Sequence, residues 1–345
     1  ANMARRRTAQ ERRLYALLAK MEPKVRQAFF DAVSAKQQAV DIKALADAIE
    51  AGDINLATRI LTLDKEAMFT LTEALRTTVI AGGQSTAALL PITIRAQFGF
   101  GGNDRAVKAV EKVTEKLSRI LEAEAYDMVT SVISEGISEG IHPRTQALDI
   151  AGRKPAGSRL RKGGYIGLDK QRAMQAKKVR SMLTDPDKIG DYFVGSKPRY
   201  TTTDRRFDSM VRKAIDSGKA LSVADADKIS ELHKSRLLKN RAETISRTET
   251  LNALRTGQHE GFATMVDNGV VTDKQLKKTW RTTKDGRQRD SHDDLDGTTV
   301  GFNELFKNER TGGAMMHPGD ASHGAGAKDI IQCRCVATYR ISLKR

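Results

Sequence analysis

Hydrophobic residues recur at steps of three and four through most of residues 1–140, and charged residues fill the positions between them. This spacing predicts a succession of amphipathic helices, because 3.6 residues complete one helical turn. The clearest helix begins at Asp104, a candidate N-cap after two glycines, and ends near Gly136 and Pro143. Its apolar positions are Val107, Val110, Val113, Leu117, Ile120, Leu121, Met128, Val132 and Ile133.

The helical pattern returns after residue 168 and gives way to a different pattern near residue 268. The further helices are predicted at residues 169–183, 204–217 and 225 to about 257. Short β-prone segments follow at residues 270–271, 278–282 and 335–341, separated by glycine, aspartate and proline. The predicted fold class is therefore mainly α, with helical N-terminal and middle regions and a small C-terminal α+β domain. The predicted divisions are a helical region at 1–140, a basic middle at 141–244 and the α+β domain at 245–345.

The composition agrees with this fold class and narrows the compartment. Aromatic residues make up only 5% of the chain, which suits helices better than a large β-sandwich core. No run of 18 apolar residues occurs, so the sequence predicts no membrane-spanning helix. The basic residues near the N-terminus precede no apolar segment, so a secretory signal is not expected. Two cysteines cannot form a disulfide framework, and this favours a reducing compartment.

Positive charge is concentrated in the middle of the chain. The net charge is +16, and residues 141–244 hold 24 basic and 12 acidic residues. A glycine-rich basic stretch near 151–168 is predicted to be a flexible arm. Such a segment favours non-specific binding to the phosphates of double-stranded DNA, although a solvated helix face is the alternative. The candidate DNA-binding residues are Arg153, Lys154, Arg159, Arg161, Lys162, Arg172, Lys177, Lys178 and Arg180.

Cysteine and histidine residues near the C-terminus form a candidate zinc site. Two thiolates and two imidazoles are a common ligand set for zinc, and the candidates are His292, His323, Cys333 and Cys335. A separation of one residue between the cysteines is shorter than structural zinc sites usually show. The alternative is a pair of buried, reduced cysteines that pack as small hydrophobic residues. No other cofactor is expected.

Acidic residues in the C-terminal region raise the question of catalysis. Arg247 and Glu249 lie on a predicted helix, where they either clamp the small domain or supply a catalytic carboxylate. Asp285-Gly286 predicts a turn, after which Arg287 and Arg289 pair internally or hold phosphate. The acidic residues from His292 to Asp296 leave open a metal-dependent nuclease or a toxin-like hydrolase.

An ordered series of motifs in the last hundred residues resembles the phage Mu F-like family of minor head and head morphogenesis proteins. The residues that carry this resemblance are Arg247, Glu249, Asn252, Trp280, Asp285, Arg289, His292, Asp296, Gly297, Pro318, Gly319, Cys333 and Cys335. The family often has Asn before the first cysteine, whereas this chain has Gln332. The segment Lys162–Leu168 also resembles larger members, so the resemblance extends over residues 140–345.

The resemblance implies a non-enzymatic structural protein of a tailed-phage virion. Members of the family are associated with the portal, with packaged DNA or with DNA delivery and ejection. The implied location is the head interior near the portal, with host cytoplasm during assembly and no membrane partner in the head. The implied partners are the portal protein, other head proteins and phage DNA. A nuclease or hydrolase and a zinc-stabilised DNA-binding module are the alternatives.

Overall fold

The computed structural model describes residues 6–90, 95 and 99–342. Within these residues the chain forms eleven α-helices and seven short strands, which confirms the predicted fold class. The helices of the first half are α1 Ala9–Ala39, α2 Ile42–Glu50, α3 Ile54–Leu61, α4 Lys65–Gln84, α5 Asp104–Ser138 and α6 Pro143–Ala151. The later helices are α7 Lys170–Thr184, α8 Asp208–Asp216, α9 Val223–Asp267, α10 Asp290–Asp293 and α11 Ala327–Ile330.

Helix α5 begins after Gly101 and Gly102, and a polar side chain caps its N-terminus. The side chain of Asn103 accepts a hydrogen bond of 2.8 Å from the backbone N–H of Ala106. Asn103 is therefore the N-cap, one position earlier than predicted, and Asp104 is the first helical residue. A carboxylate in the first helical turn is still favourable, because it faces the positive end of the helix dipole.

Helix α9 is longer at its C-terminal end than the sequence pattern predicted. It continues through Gly257 and Gly261 to Asp267. Both glycines lie where α9 contacts the backbone of α4, and a Cβ atom on Gly257 would be 2.0 Å from the carbonyl oxygen of Val79. These glycines permit two backbones to approach closely, and they do not end the helix.

The strands are short and antiparallel. They are β1 Phe193–Val194, β2 Lys197–Pro198, β3 Leu276–Arg281, β4 Thr299–Gly301, β5 Phe306–Lys307, β6 Ala314–Met315 and β7 Val336–Ile341. The main sheet has the order β4-β3-β7, while β5 pairs with β6 and β1 with β2. Strands β3 and β7 match two predicted β segments, but Val270 and Val271 belong to no strand. Val271 instead packs into the hydrophobic core with Phe262, Leu276 and Tyr339.

The chain divides into two compact units that do not follow the three predicted divisions. Unit 1 comprises Ala1–Phe29, Phe69–Leu117 and Glu243–Arg345, and unit 2 comprises Phe30–Met68 and Ser118–Ala242. Unit 1 combines the start of the chain with its end. One contact that joins them is made by the side-chain amide of Gln10 on α1. This amide donates to the carbonyl of Tyr339 on β7 and accepts from its N–H.

Residues 151–168, for which the sequence predicts a flexible arm, belong to unit 2 in the structure. Backbone hydrogen bonds of 3.1 and 2.9 Å join Arg153 and Lys162 and close a loop between them. Gly157 has a φ of +74° in the turn at the tip of this loop. The flanking residues Tyr165 and Leu168 are buried. The glycines therefore serve tight turns and close packing in unit 2. Residues 153–162 are called the basic loop below.

None of the helices in the described part of the chain combines the length and the hydrophobicity that crossing a membrane requires.

Candidate functional site

Three side chains that can bind a metal ion meet inside unit 1. Nδ1 of His292 lies 3.6 Å from Sγ of Cys333 and 3.6 Å from Sγ of Cys335. The three ligand atoms all lie within 4.8 Å of one another. All three residues are buried, with relative exposures of 1%, 2% and 3%. These residues are called the Cys-His cluster below.

The elements that carry the cluster are short and lie far apart in sequence. His292 lies on the four-residue helix α10, which directly follows Arg289. Cys333 follows helix α11, and Cys335 directly precedes strand β7. The two cysteines are therefore in a loop at the start of β7, where their side chains converge on one imidazole although they do not share a strand face.

A carboxylate and an indole ring fix the imidazole of His292. Oδ1 of the buried Asp329 lies 3.5 Å from Nε2, on the side of the ring away from the thiols. The same carboxylate oxygen accepts a hydrogen bond of 2.8 Å from Nδ2 of Asn308. The ring of Trp280 meets the imidazole edge-on, with a centroid distance of 5.3 Å. The carboxylate favours the proton on Nε2, which leaves the Nδ1 lone pair directed towards the sulfur atoms.

Two arginines hold the loop that carries the cysteines. The buried guanidinium of Arg255 donates a hydrogen bond of 2.8 Å to the carbonyl of Cys333. Arg289 donates one of 2.6 Å to the carbonyl of Ile331. Between these carbonyls, Gln332 adopts a φ of +53°, a left-handed conformation that asparagine tolerates better than most residues. This backbone geometry gives a physical reason for the Asn that the family often has at this position.

The two thiols differ in acidity because they interact with each other. The hydrogen bond from Cys335 holds the pKa of the Cys333 thiol well below its ordinary value, and the charge of Arg255 acts in the same direction. The same hydrogen bond, together with burial, raises the pKa of Cys335 well above its ordinary value. The pair therefore loses a first proton readily and a second one only with additional stabilisation.

His323, the fourth predicted zinc ligand, is not part of the cluster. Its side chain is 40% exposed, and its Nε2 lies 3.7 Å from a carboxylate oxygen of Asp320. The structure also reveals two residues that the sequence analysis missed, Arg255 and Asp329. Arg255 belongs to a row of polar residues at helical spacing along α9. This spacing in the sequence indicates that the residues share one face of the helix, and it could have identified Arg255. The residues of the row are Thr248, Asn252, Arg255 and His259.

The other motif residues form contacts within unit 1. Arg247 pairs with Glu22 at 3.2 Å and not with Glu249. Glu249 is buried, and burial raises its pKa. Gly319 has a φ of +87°, and a Cβ atom there would lie 2.9 Å from the guanidinium of Arg255. The loop that begins at Pro318 therefore lies directly against α9.

The chain bends at Asp285 and Gly286, where a turn is predicted, and Gly286 has a φ of +75°. Asp285 forms an ion pair with Arg334 through two hydrogen bonds. The longer of the two, from Nη2 of Arg334 to Oδ1 of Asp285, measures 2.9 Å. Residues 282–289 form no strand, so Arg287 and Arg289 do not share a strand face. Arg289 donates its hydrogen bond to the backbone carbonyl of Ile331, and not to one of the acidic residues after His292.

The acidic residues after His292 are engaged by basic and polar neighbours, and Lys284 contacts both Asp293 and Asp296. Asp293 pairs with Lys284 at 2.6 Å, and Asp294 pairs with Arg310 at 2.5 Å. Asp296 accepts a hydrogen bond of 2.8 Å from the backbone N–H of Thr282, and Gly297 follows it with a φ of +88°. Among the described residues, no carboxylate group of this segment converges on a metal-sized site. This arrangement does not favour the nuclease alternative.

The nine candidate DNA-binding residues fall into two groups in unit 2. Four pair with acidic neighbours: Arg153 with Asp149, Arg172 with Asp169, Lys177 with Glu135 and Glu139, and Arg180 with Asp227. Arg161 is half-buried, and its guanidinium donates to the carbonyl of Gly152. Among the nine candidates, the exposed cations that form no ion pair with a described residue are Lys154, Arg159, Lys162 and Lys178. Three of these four lie in the basic loop, which contains no acidic residue.

A comparison with known families finds a family model that matches the C-terminal part of the chain. Residues 206–338 match the family model described as Phage Mu protein F like protein, and this match includes Trp280 and the Cys-His cluster. This part of the chain is thus similar to the phage Mu F-like family, in agreement with the resemblance that the order of its motifs predicted. The basic loop lies outside the matched residues.

A curated relative comes from Bacillus subtilis (strain 168), where it is named Uncharacterized protein YqbB. It is 32% identical to this chain over 108 residues, which are 31% of this chain and 32% of the relative. The chain therefore spans about a third of the length of the curated relative it matches. No solved structure shows significant similarity to the chain.

Proposed function

We propose that this chain is a minor structural protein of a tailed-phage head that contacts the packaged DNA and has no enzymatic role. The family match supports a role in the head. The internal pairing of the acidic residues near His292 also favours a structural role over a nuclease. The contact with DNA rests on one observation, the charge and exposure of the basic loop.

The basic loop has the properties of a phosphate-binding element. Its ten residues include five cations and no acidic residue. Lys154, Arg159 and Lys162 are exposed and free of ion pairs within the described residues, so DNA phosphates do not have to displace an internal partner. The backbone bonds between Arg153 and Lys162 order the loop in advance, which lowers the entropic cost of binding. Contacts of this kind position a protein on a duplex without reading its sequence.

The proposal is tested by measuring duplex DNA affinity against salt with fluorescence anisotropy. The full-length chain is compared with a variant that combines Lys154→Ala, Arg159→Ala and Lys162→Ala. Each phosphate contact contributes about 0.9 to the slope of log affinity against log salt, so the slope should become shallower by roughly 2 to 3. The affinity near physiological salt should fall by about tenfold or more.

A matched control removes the same charge elsewhere. Lys20, Lys24 and Lys274 are exposed lysines of unit 1, and replacing all three with alanine should leave the salt slope within error of the original chain. An equal loss of affinity in both variants would mean that net charge alone drives binding. A slope that does not change in the basic-loop variant would remove the DNA contact from the proposal.

We also propose that the chain lies in the head interior near the portal. Its partners there would be the portal protein and other head proteins, and it would take part in DNA ejection. Cryo-EM of intact particles, classified around the portal vertex, tests this location. Density that fits unit 1 or unit 2 beside the portal is the expected result. Well-resolved density for the chain only in the outer capsid lattice would contradict the portal location.

A further inference from the structure

We propose that His292, Cys333 and Cys335 bind one zinc ion that fastens the start of strand β7 to helix α10. The ligand atoms would be Nδ1 of His292 and the two Sγ atoms, and a water molecule would complete a tetrahedron. This site goes beyond the proposed role in the head, because it concerns how unit 1 is held together.

The spacing of the three atoms matches the coordination shell of zinc. Zinc lies about 2.3 Å from thiolate sulfur and about 2.0–2.1 Å from imidazole nitrogen, so a tetrahedral angle separates S and N by about 3.6 Å. Both observed distances from Nδ1 of His292 to the sulfur atoms are 3.6 Å. The two nitrogen–sulfur separations therefore match those that one shared ion requires, and the two sulfur atoms lie within 4.8 Å of each other.

The surroundings of the imidazole favour a metal ligand. Histidine ligands of zinc usually donate the hydrogen of their second ring nitrogen to a carboxylate, which fixes the tautomer and the ring orientation. Asp329 stands in this place, 3.5 Å from Nε2 and only 1% exposed. Asn308 and Thr311 both donate hydrogen bonds to its Oδ1 atom, so the carboxylate is itself held in position.

The chemistry of the site selects zinc from the common divalent cations. Thiolate and imidazole groups are poor ligands for magnesium and calcium, which prefer oxygen atoms. Zinc binds both cysteines as thiolates, so their two negative charges compensate the charge of the ion in this buried region. The ion would also join residues 41 positions apart in a region with few regular elements, where few backbone bonds resist opening.

Metal analysis of the full-length chain tests the proposal directly. The protein is purified without a polyhistidine tag under reducing conditions, and zinc is measured by elemental mass spectrometry. One zinc ion per chain is expected. Replacement by Co²⁺ should produce the visible absorption of a tetrahedral site and a thiolate-to-metal charge-transfer band in the near ultraviolet.

Variants then assign the ligands. The double variant Cys333→Ser, Cys335→Ser should lose both the zinc and the charge-transfer band. His323→Ala is the matched control, because this exposed histidine belongs to the same segment but lies outside the cluster, and it should retain one zinc ion. Retention of zinc by the double variant, or its loss in the control, would overturn the assignment.

Asp329 is a positioning residue in this proposal, and its effect is separable from that on folding. Asp329→Asn retains the shape of the side chain and should weaken zinc binding by about 10- to 100-fold, measured by competition with a chromophoric chelator. Circular dichroism with saturating zinc should match that of the original chain. An unchanged zinc affinity would contradict the positioning role.

The unmutated chain tests for the zinc site even if the cysteine variants fail to fold. A strong chelator should remove the metal and lower the Tm by about 5 °C or more, and added zinc, but not magnesium, should restore it. Substoichiometric zinc after reconstitution, or a Cys333–Cys335 disulfide in freshly purified protein, would refute the site. These measurements involve no DNA, so their failure would leave the proposed DNA contact unaffected.

Discussion

Lys278 on strand β3 has its amino group enclosed by largely nonpolar side chains. It is fully buried, and its Nζ lies 2.8 Å from the sulfur of Met316 and 5.5 Å from the ring centre of Phe306. Burial lowers the pKa of Lys278 to about 7, although the charges of Asp320 and Glu304 act in the opposite direction. A positive charge here is therefore unfavourable, and the folded chain releases its proton more readily than the unfolded chain does.

We expect Lys278→Met to stabilise the protein at low pH and to reduce its pH dependence. Between about pH 7 and 10.5 the unfolded chain binds this proton and the folded chain does not, so stability rises with pH in this range. Below pH 7 both states are protonated and the cost of the buried charge is complete. The variant should gain about 1–3 kcal/mol at pH 6 and almost nothing near pH 10.5, measured by urea unfolding.

Lys277→Met provides the control for this prediction, because Lys277 is the exposed neighbour on the same strand. Its stability curve should run parallel to that of the original chain from pH 6 to 10.5. A parallel curve for Lys278→Met as well would show that Lys278 does not titrate as described.

Helices α4 and α9 are joined by glycines at their point of contact. A Cβ atom on Gly82 would lie 2.3 Å from the carbonyl oxygen of Leu254, and one on Gly261 would lie 2.8 Å from that of Gly83. Because these obstacles are backbone atoms, a side chain of any size would force the helices apart. Unit 1 therefore depends on this crossing to bring α4 against the helix that carries Arg255.

We expect Gly257→Ala to destabilise the protein despite the higher helix propensity of alanine. The added methyl group would lie 2.0 Å from the carbonyl oxygen of Val79, so the helices would have to separate. The cost should be about 2–4 kcal/mol in urea unfolding, against a propensity gain of about 1 kcal/mol. Gly190→Ala is the matched control, since a Cβ atom there meets nothing within 4 Å, and its effect should be small. Equal stability of the two variants would exclude the close crossing.

At this scale the sequence predicted the helices well and the irregular elements poorly. Periodic apolar residues located α5, α7 and most of α9, because helix formation depends on contacts three and four residues apart. The same reasoning interpreted the glycines at 151–168 as a sign of flexibility. Their actual role, in a turn and in close packing beneath Tyr165, depends on partners elsewhere in the fold, such as Gln37, whose amide bonds to Gly163.

The charge of the whole molecule, +16, is concentrated in residues 141–244. Several of these cations neutralise acidic residues within unit 2, so the charge available to a partner is smaller than the sequence implies. The exposed cations of the basic loop are part of the charge that remains unpaired among the described residues, and the proposed DNA contact rests on them.

We expect binding to duplex DNA to depend on length and salt but not on base sequence. Contacts to phosphate carry no sequence information, so AT-rich and GC-rich duplexes of equal length should have Kd values within about twofold of each other. Anisotropy titrations at one fixed salt concentration measure this comparison, and unlabelled competitor DNA of unrelated sequence controls for the fluorophore. A tenfold preference for either duplex would require contacts to base edges, which the proposed loop does not provide.

By itself, the sequence determined the mainly helical class, the concentration of positive charge and the similarity of residues 206–338 to the phage Mu F-like family. These properties depend on local periodicity, on composition and on the order of motifs along the chain. The tertiary structure alone decided that His292 meets Cys333 and Cys335 while His323 does not. It also decided that Asp329 and Arg255 support this cluster and that five candidate DNA-binding residues are engaged internally. These features depend on contacts between residues far apart in the chain, and such contacts form only when burial of the core brings those segments together.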